Sequence, residues 1–137
     1  MRGEYFNNSA FSGGTALSRT DSSVDFDWGE GSPDGVLNQN GFSVRWTGIL
    51  VPLYKERYTF CMVGSGGVRL LVDGDESIDE LDDEGQKEEC DSVSLRSKNS
   101  YTIQVEFVDV DGPASVRLYW ESSSQPKQII PSSQLHL

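Results

Sequence analysis

Apolar side chains recur at every second position over five stretches of the chain: Phe42, Val44 and Trp46; Tyr58, Phe60 and Met62; Val68, Leu70 and Val72; Tyr101, Ile103, Val105 and Phe107; and Val116, Leu118 and Trp120. Successive side chains of a β-strand point to opposite faces, so each set fills one face of a strand. Polar residues take the alternate places (Ser43, Arg45 and Thr47; Thr102, Gln104 and Glu106; Ser115 and Arg117), as antiparallel strands require when one face lies in a core and the other in water. No comparable helical period is present. Turn chemistry separates the stretches at Gly29 to Gly35, Gly64 to Gly67, Asp73-Gly74, Ser97 to Ser100 and Asp111-Gly112-Pro113. Beyond the Ser122-Ser123-Ser124 loop a short last strand is expected around Gln128 to Ile130. The pattern predicts an all-β, antiparallel sandwich or barrel. With no internal repeat and no linker, a single domain over residues 1–137 is expected.

Charge narrows the partners. The 137 residues hold 11 Lys+Arg against 22 Asp+Glu, a formal net charge of −11. Neutralising phosphates takes clustered cations, which argues against nucleic acid or an anionic membrane. No apolar run approaches the ~20 residues that span a bilayer, so direct membrane insertion is not expected. Met1-Arg2-Gly3-Glu4 leads straight into patterned sequence, and the chain reads as a domain excised from a larger protein.

Eleven acidic residues and a single cation, Lys87, lie between Asp73 and Asp91, so nearly all of the net charge sits there. Like charges resist compaction, and a solvated flexible loop is expected, most mobile between Asp79 and Glu89. An EF-hand fits poorly. Asp73, Asp75, Ser77, Asp79 and Glu84 fall near ligand positions, but the obligatory glycine is replaced by Ile78 and no amphipathic helix flanks the segment.

No catalytic constellation is legible. The sole histidine, His136, is close to the C-terminus and has no second histidine with which to build a metal triad. The Gly64 to Gly67 turn lacks the G-K-[ST] ending of a phosphate loop and joins two strands. Cys61 alternates with Phe60 and Met62 and so points away from the face they fill, where a free thiol would be partly exposed. Bonding to Cys90 would tether the acidic segment to the strand at Tyr58 to Val63 and imply an oxidising compartment. That disulfide is the expectation, against two separate reduced thiols.

Gly3-Glu4-Tyr5-Phe6, the block Val24-Asp25-Phe26-Asp27-Trp28-Gly29-Glu30-Gly31-Ser32-Pro33, Phe42-Ser43-Val44-Arg45-Trp46-Thr47-Gly48 and Arg57-Tyr58-Thr59-Phe60 together resemble the protective-antigen fourteen-kilodalton domain family. The likeness continues through Gly67-Val68-Arg69-Leu70-Leu71-Val72-Asp73-Gly74, Tyr101 to Phe107, Ala114 to Trp120 and Ile130 to Leu135, and so covers essentially the whole chain. It implies a compact antiparallel β-sandwich or barrel, carried by extracellular or cell-surface proteins such as toxins, glycosidases, adhesins and receptors or sensors. Carbohydrate binding is the role it usually implies.

In the family's lectins, two adjacent aspartates joined by a cis peptide hold calcium, which in turn coordinates sugar hydroxyls. The matching positions here are Ser65 and Gly66, which supply no carboxylate, so a trans Ser65-Gly66 peptide and no family-type metal site are expected. The family's second ligand loop matches Asp109 to Gly112, where Asp109 and Asp111 retain carboxylates suited to hydrogen-bonding hydroxyls or to holding calcium weakly. Their alternative role is turn formation before Pro113. Trp46 and Trp120 alternate with core residues and are expected to be packing, as is Trp28 in its D-W-G turn. The reading is therefore a non-catalytic extracellular module that binds a polysaccharide or glycan through Ser65, Gly66, Asp109, Asp111 and Gly112, with no cofactor and no tight metal. The alternative is a protein-interaction or spacer domain meeting other domains of its parent chain.

Overall fold

The five alternating stretches are strands, and their apolar faces meet. The computed structural model describes residues 1–81, 87–96 and 99–137. Among these run β1 (Arg2–Phe6), β2 (Leu17–Thr20), β3 (Asp25–Gly29), β4 (Phe42–Leu50), β5 (Arg57–Gly64), β6 (Gly67–Val72), β7 (Asp75–Glu80), β8 (Lys87–Ser94), β9 (Tyr101–Asp109), β10 (Ala114–Glu121), β11 (Gln128–Ile129) and β12 (Leu135–His136), with a 3-10 turn at Ser132–Gln134. One sheet runs β2-β1-β4-β9-β6-β7 with β12 also on β4, and the other runs β11-β10-β5-β8 with β3 also on β10. Every pairing is antiparallel. No described helix is long and apolar enough to cross a membrane.

Between the sheets lie Phe42, Val44, Trp46, Val105 and Phe107 from the first, against Tyr58, Phe60, Met62, Leu118 and Trp120 from the second, all buried. Trp46 stacks on Phe26 with centroids 5.7 Å apart, and Phe26 stacks on Trp28 at 4.9 Å. Trp28 therefore packs, as its turn position predicts, and Trp46 and Trp120 are core. Each such ring pair adds about 0.5–1.5 kcal/mol beyond the area it buries.

Two buried carboxylates fasten the first sheet. Asp21 accepts hydrogen bonds from the Tyr5 hydroxyl, from Trp46 Nε1 at 2.9 Å and from Arg19 Nε at 2.9 Å. Glu106, which alternation assigns to the water-facing side, is fully buried because the guanidinium groups of Arg45 and Arg69 close over it from β4 and β6. Burying one partner of such a pair is tolerable only because the other accompanies it.

The acidic run departs from its reading as a loop. Asp75–Glu80 is β7, anchored on β6 where buried Ile78 faces Leu70, and Lys87–Ser94 is β8, paired along the whole of β5. Both are edge strands, whose side chains reach water, so carboxylates there are tolerated and discourage pairing with a foreign strand. Residues 82–86, the centre of the stretch expected to be most mobile, lie outside the described residues, as do Ser97 and Lys98 of the turn expected at Ser97 to Ser100. Cys61 and Cys90 stand directly opposite each other on β5 and β8, with Cα atoms 4.1 Å apart, and form the expected disulfide. In the bonded form Cys61 is buried; the partly exposed free thiol, the alternative to the bond, does not occur.

Candidate functional site

Strand pairing brings the two sequence-separated loops together. Gly67 pairs with Val108 at the end of the β6/β9 ladder, so the Ser65-Gly66 turn between β5 and β6 lies beside Asp109, the last residue of β9. Ser65 is fixed to the start of β10: its amide donates to the Ser115 carbonyl at 3.0 Å, and its hydroxyl accepts from the Ser115 amide at 2.9 Å. Gly66 has no room for any side chain. A Cβ there would collide with the Val108 carbonyl oxygen and come within 3.6 Å of Asp109 Cα. The same close approach that joins the loops thus bars an aspartate at the second position of the family's metal pair. No described peptide bond is cis.

Asp109 is not a turn former. It is 1% exposed at the end of β9, its carbonyl accepting from the Gly41 amide at 3.0 Å. Its Oδ2 is shut off from solvent without a hydrogen-bond partner among the described residues. Burial, reinforced by the neighbouring charges of Asp111 and Glu30, raises its pKa from the usual 3.8 to about 6. Asp111 does take the turn role: it is exposed, and its Oδ1 accepts from the Gly112 amide at 2.9 Å, with Gly112 at φ +79°. Glu30 is the participant that sequence reading missed. It follows β3 in the D-W-G-E turn and acts on Asp109 only through tertiary proximity.

The donor set does not fit the family's calcium centre. Ser65 and Gly66 bring no carboxylate, and among the described residues the one grouping of His, Cys, Asp or Glu ligand atoms within 4.8 Å of one another is Cys61, Cys90 and Glu88, whose sulfurs are already bonded. His136 is exposed on β12, paired beside Ile49, whereas the site adjoins the Phe42 end of β4.

A family model described as the PA14 domain matches residues 1–134. The anti-sigma-I factor RsgI3 of Acetivibrio thermocellus is 45% identical over 136 residues, a match taking in 99% of this chain and 21% of that protein. A solved anti-sigma factor domain-containing protein superposes with a TM-score of 0.95 at 45% identity, over 98% of this chain and 46% of that one. A PA14 sugar-binding domain from an RTX adhesin superposes with a TM-score of 0.72 at 18% identity, over 98% of this chain and 96% of that one, a likeness of fold. This chain therefore spans about a fifth of the first relative's length and about half of the second's.

Proposed function

The chain belongs to the PA14 domain family, and from that premise we propose that it is a non-catalytic recognition module that binds carbohydrate hydroxyls at the Ser65/Asp109 end of the sandwich. The observation that carries this reading is the buried Asp109 carboxylate, with an oxygen that has no donor among the described residues. A desolvated acceptor without a partner costs about 1–3 kcal/mol, and in this reading the loops over Asp109 shift on binding so that a ligand hydroxyl can donate to it and remove that cost. Exposed Asp111 beside it offers further acceptor oxygens for a neighbouring hydroxyl. Sugar binding by the structurally similar adhesin domain supports the assignment.

The module acts in this reading without tightly held calcium, since the metal's usual set of six or more oxygens has lost its paired carboxylates. The disulfide supports a location outside the reducing cytoplasm. Relatives named as anti-sigma factors support a place within a longer regulatory chain, where this domain senses a glycan or docks on other domains of the same chain. An oligosaccharide array, read with and without chelator, tests the assignment. We expect neutral saccharides to be bound equally in both conditions, and Asp109→Asn to weaken them about tenfold. An array on which no saccharide binds, or binding indifferent to Asp109→Asn, overturns it.

A further inference from the structure

At the opposite end of the sandwich the chain gathers cations. A cleft of about 410 Å³ is lined by Lys55, Glu56, Arg57, Ser94, Leu95 and Arg96. It forms where β5 begins and β8 ends, the Arg57 to Ser94 pair closing that ladder and the Leu95 amide donating to the Glu56 carbonyl at 2.9 Å. Seven residue steps along β5 separate Arg57 from Gly64, which puts the cleft about 23 Å from the Ser65/Asp109 loops. The two sites are distinct.

Lys55, Arg57 and Arg96 are exposed, and none of them forms an ion pair with a described residue. Four of the five described arginines elsewhere behave differently: Arg19, Arg45, Arg69 and Arg117 are each held by a carboxylate, and Arg2 alone is not. The one acid in the lining, Glu56, turns its carboxylate to the Ser124 amide at 3.0 Å and to the Ser124 hydroxyl. Three cations thus converge on a concave surface in a chain whose net charge is −11. On β8 the nearest acid, Asp91, lies three residues from Ser94, about 10 Å and just past the ~8 Å screening length of physiological salt, and Glu88 lies about 20 Å away; exposed Glu121, opposite Thr59, is the nearer acid that the three cations outweigh. An anion repelled by the acidic edge therefore meets a favourable field here.

We propose that this cleft is a second binding site, one that takes the carboxylate of an acidic sugar unit. Arginine's planar fork matches a carboxylate in two parallel hydrogen bonds, and Lys55 adds a point charge. The cleft's size suits a small ring with its substituents. On the same turn Tyr54 is 38% exposed, a ring face of the kind against which the C–H face of a sugar packs. That the anion is a saccharide rests on the glycan-binding reading above; the location of the site does not.

The test titrates the 137-residue chain with a trimer of galacturonic acid, a neutral galactose trimer and a glutamate hexapeptide, each at low and physiological salt. Tighter binding of the acidic trimer that falls with salt, drops about tenfold in Arg57→Gln and in Arg96→Gln, and is unmoved by Asp109→Asn establishes the site. Equal binding of the acidic and neutral trimers, or loss through Asp109→Asn with the arginine variants silent, overturns it while leaving the loop site standing. Equal binding of the glutamate peptide overturns it in favour of a protein partner. Circular dichroism of the two arginine variants, expected to match the parent, separates lost contact from lost fold.

Discussion

Asp109 carries a cost of burial at the loop end where binding is proposed. Its folded pKa, about 6, lies above the ordinary value of 3.8, so the native state holds a proton that the unfolded chain has released between these limits. Stability contributed by this group is therefore lost as pH rises from about 4 to about 6, and the penalty stays constant above that range. Asp109→Asn removes the charge. We expect the variant and the parent to unfold alike near pH 4, and the variant to be the more stable by pH 7, by about 3 kcal/mol at most. Urea unfolding at a series of pH values measures the difference; a constant difference across pH 4 to 7 shows that Asp109 does not titrate there. Gly66 works by sterics instead: the approach of its backbone to the Val108 carbonyl leaves no space in which an aspartate could restore the family's pair.

At the scale of elements, the Cys61 to Cys90 bond clamps an edge. Among the described residues β8 pairs with β5 alone, and its exposed positions carry acidic side chains whose mutual repulsion opposes the pairing. The two cysteines are 29 residues apart in sequence, and closing a loop of that size stabilises by about 3–4 kcal/mol in the chain-entropy model. The double variant Cys61→Ala with Cys90→Ala is expected to lose about 3 kcal/mol and roughly 10 °C in Tm, most visibly at low salt, where the carboxylates repel most. Calorimetric scans at two ionic strengths measure both effects. A variant as stable as the parent shows that the β5/β8 ladder holds without its covalent link.

The whole molecule is a sandwich with a different chemistry at each end: carboxylates at the Ser65/Asp109 loops and cations at the Lys55/Arg96 cleft. Because the acidic edge lies on β7 and β8, the cleft at the far end of β8 is set apart from most of that charge. Calcium tests the loop end as a unit. Asp109, Asp111 and Glu30 do not bring their oxygens into one compact cluster, and calorimetry is expected to find no calcium site tighter than about 0.1 mM. A micromolar affinity abolished by Asp111→Ala would show that these carboxylates close on the ion after all.

Local periodicity made β4, β5, β6, β9 and β10 legible, because a strand with one dry face must repeat every second residue whatever its neighbours are. The packing of Trp46 and Trp120 followed from the same alternation and the disulfide from it together with the position of the cysteines, whereas the packing of Trp28 was read from its D-W-G turn in the family likeness. Periodicity had nothing to say of β7 and β8: their acidic sequence reads as loop, and only pairing with β6 and β5 makes strands of it. Nor did it reveal that Glu106 and Asp21 are buried, since the cations and hydroxyls that permit it come from other strands. The loop residues Ser65, Gly66, Asp109 and Asp111 were named through a family likeness, but their adjacency, the exclusion of a side chain at Gly66 and the influence of Glu30 came from the β6/β9 register and the turn after β3. The basic cleft was invisible in sequence for the same reason. Its cations lie in two short segments about 40 positions apart, and tertiary structure alone decides which distant charges share a surface.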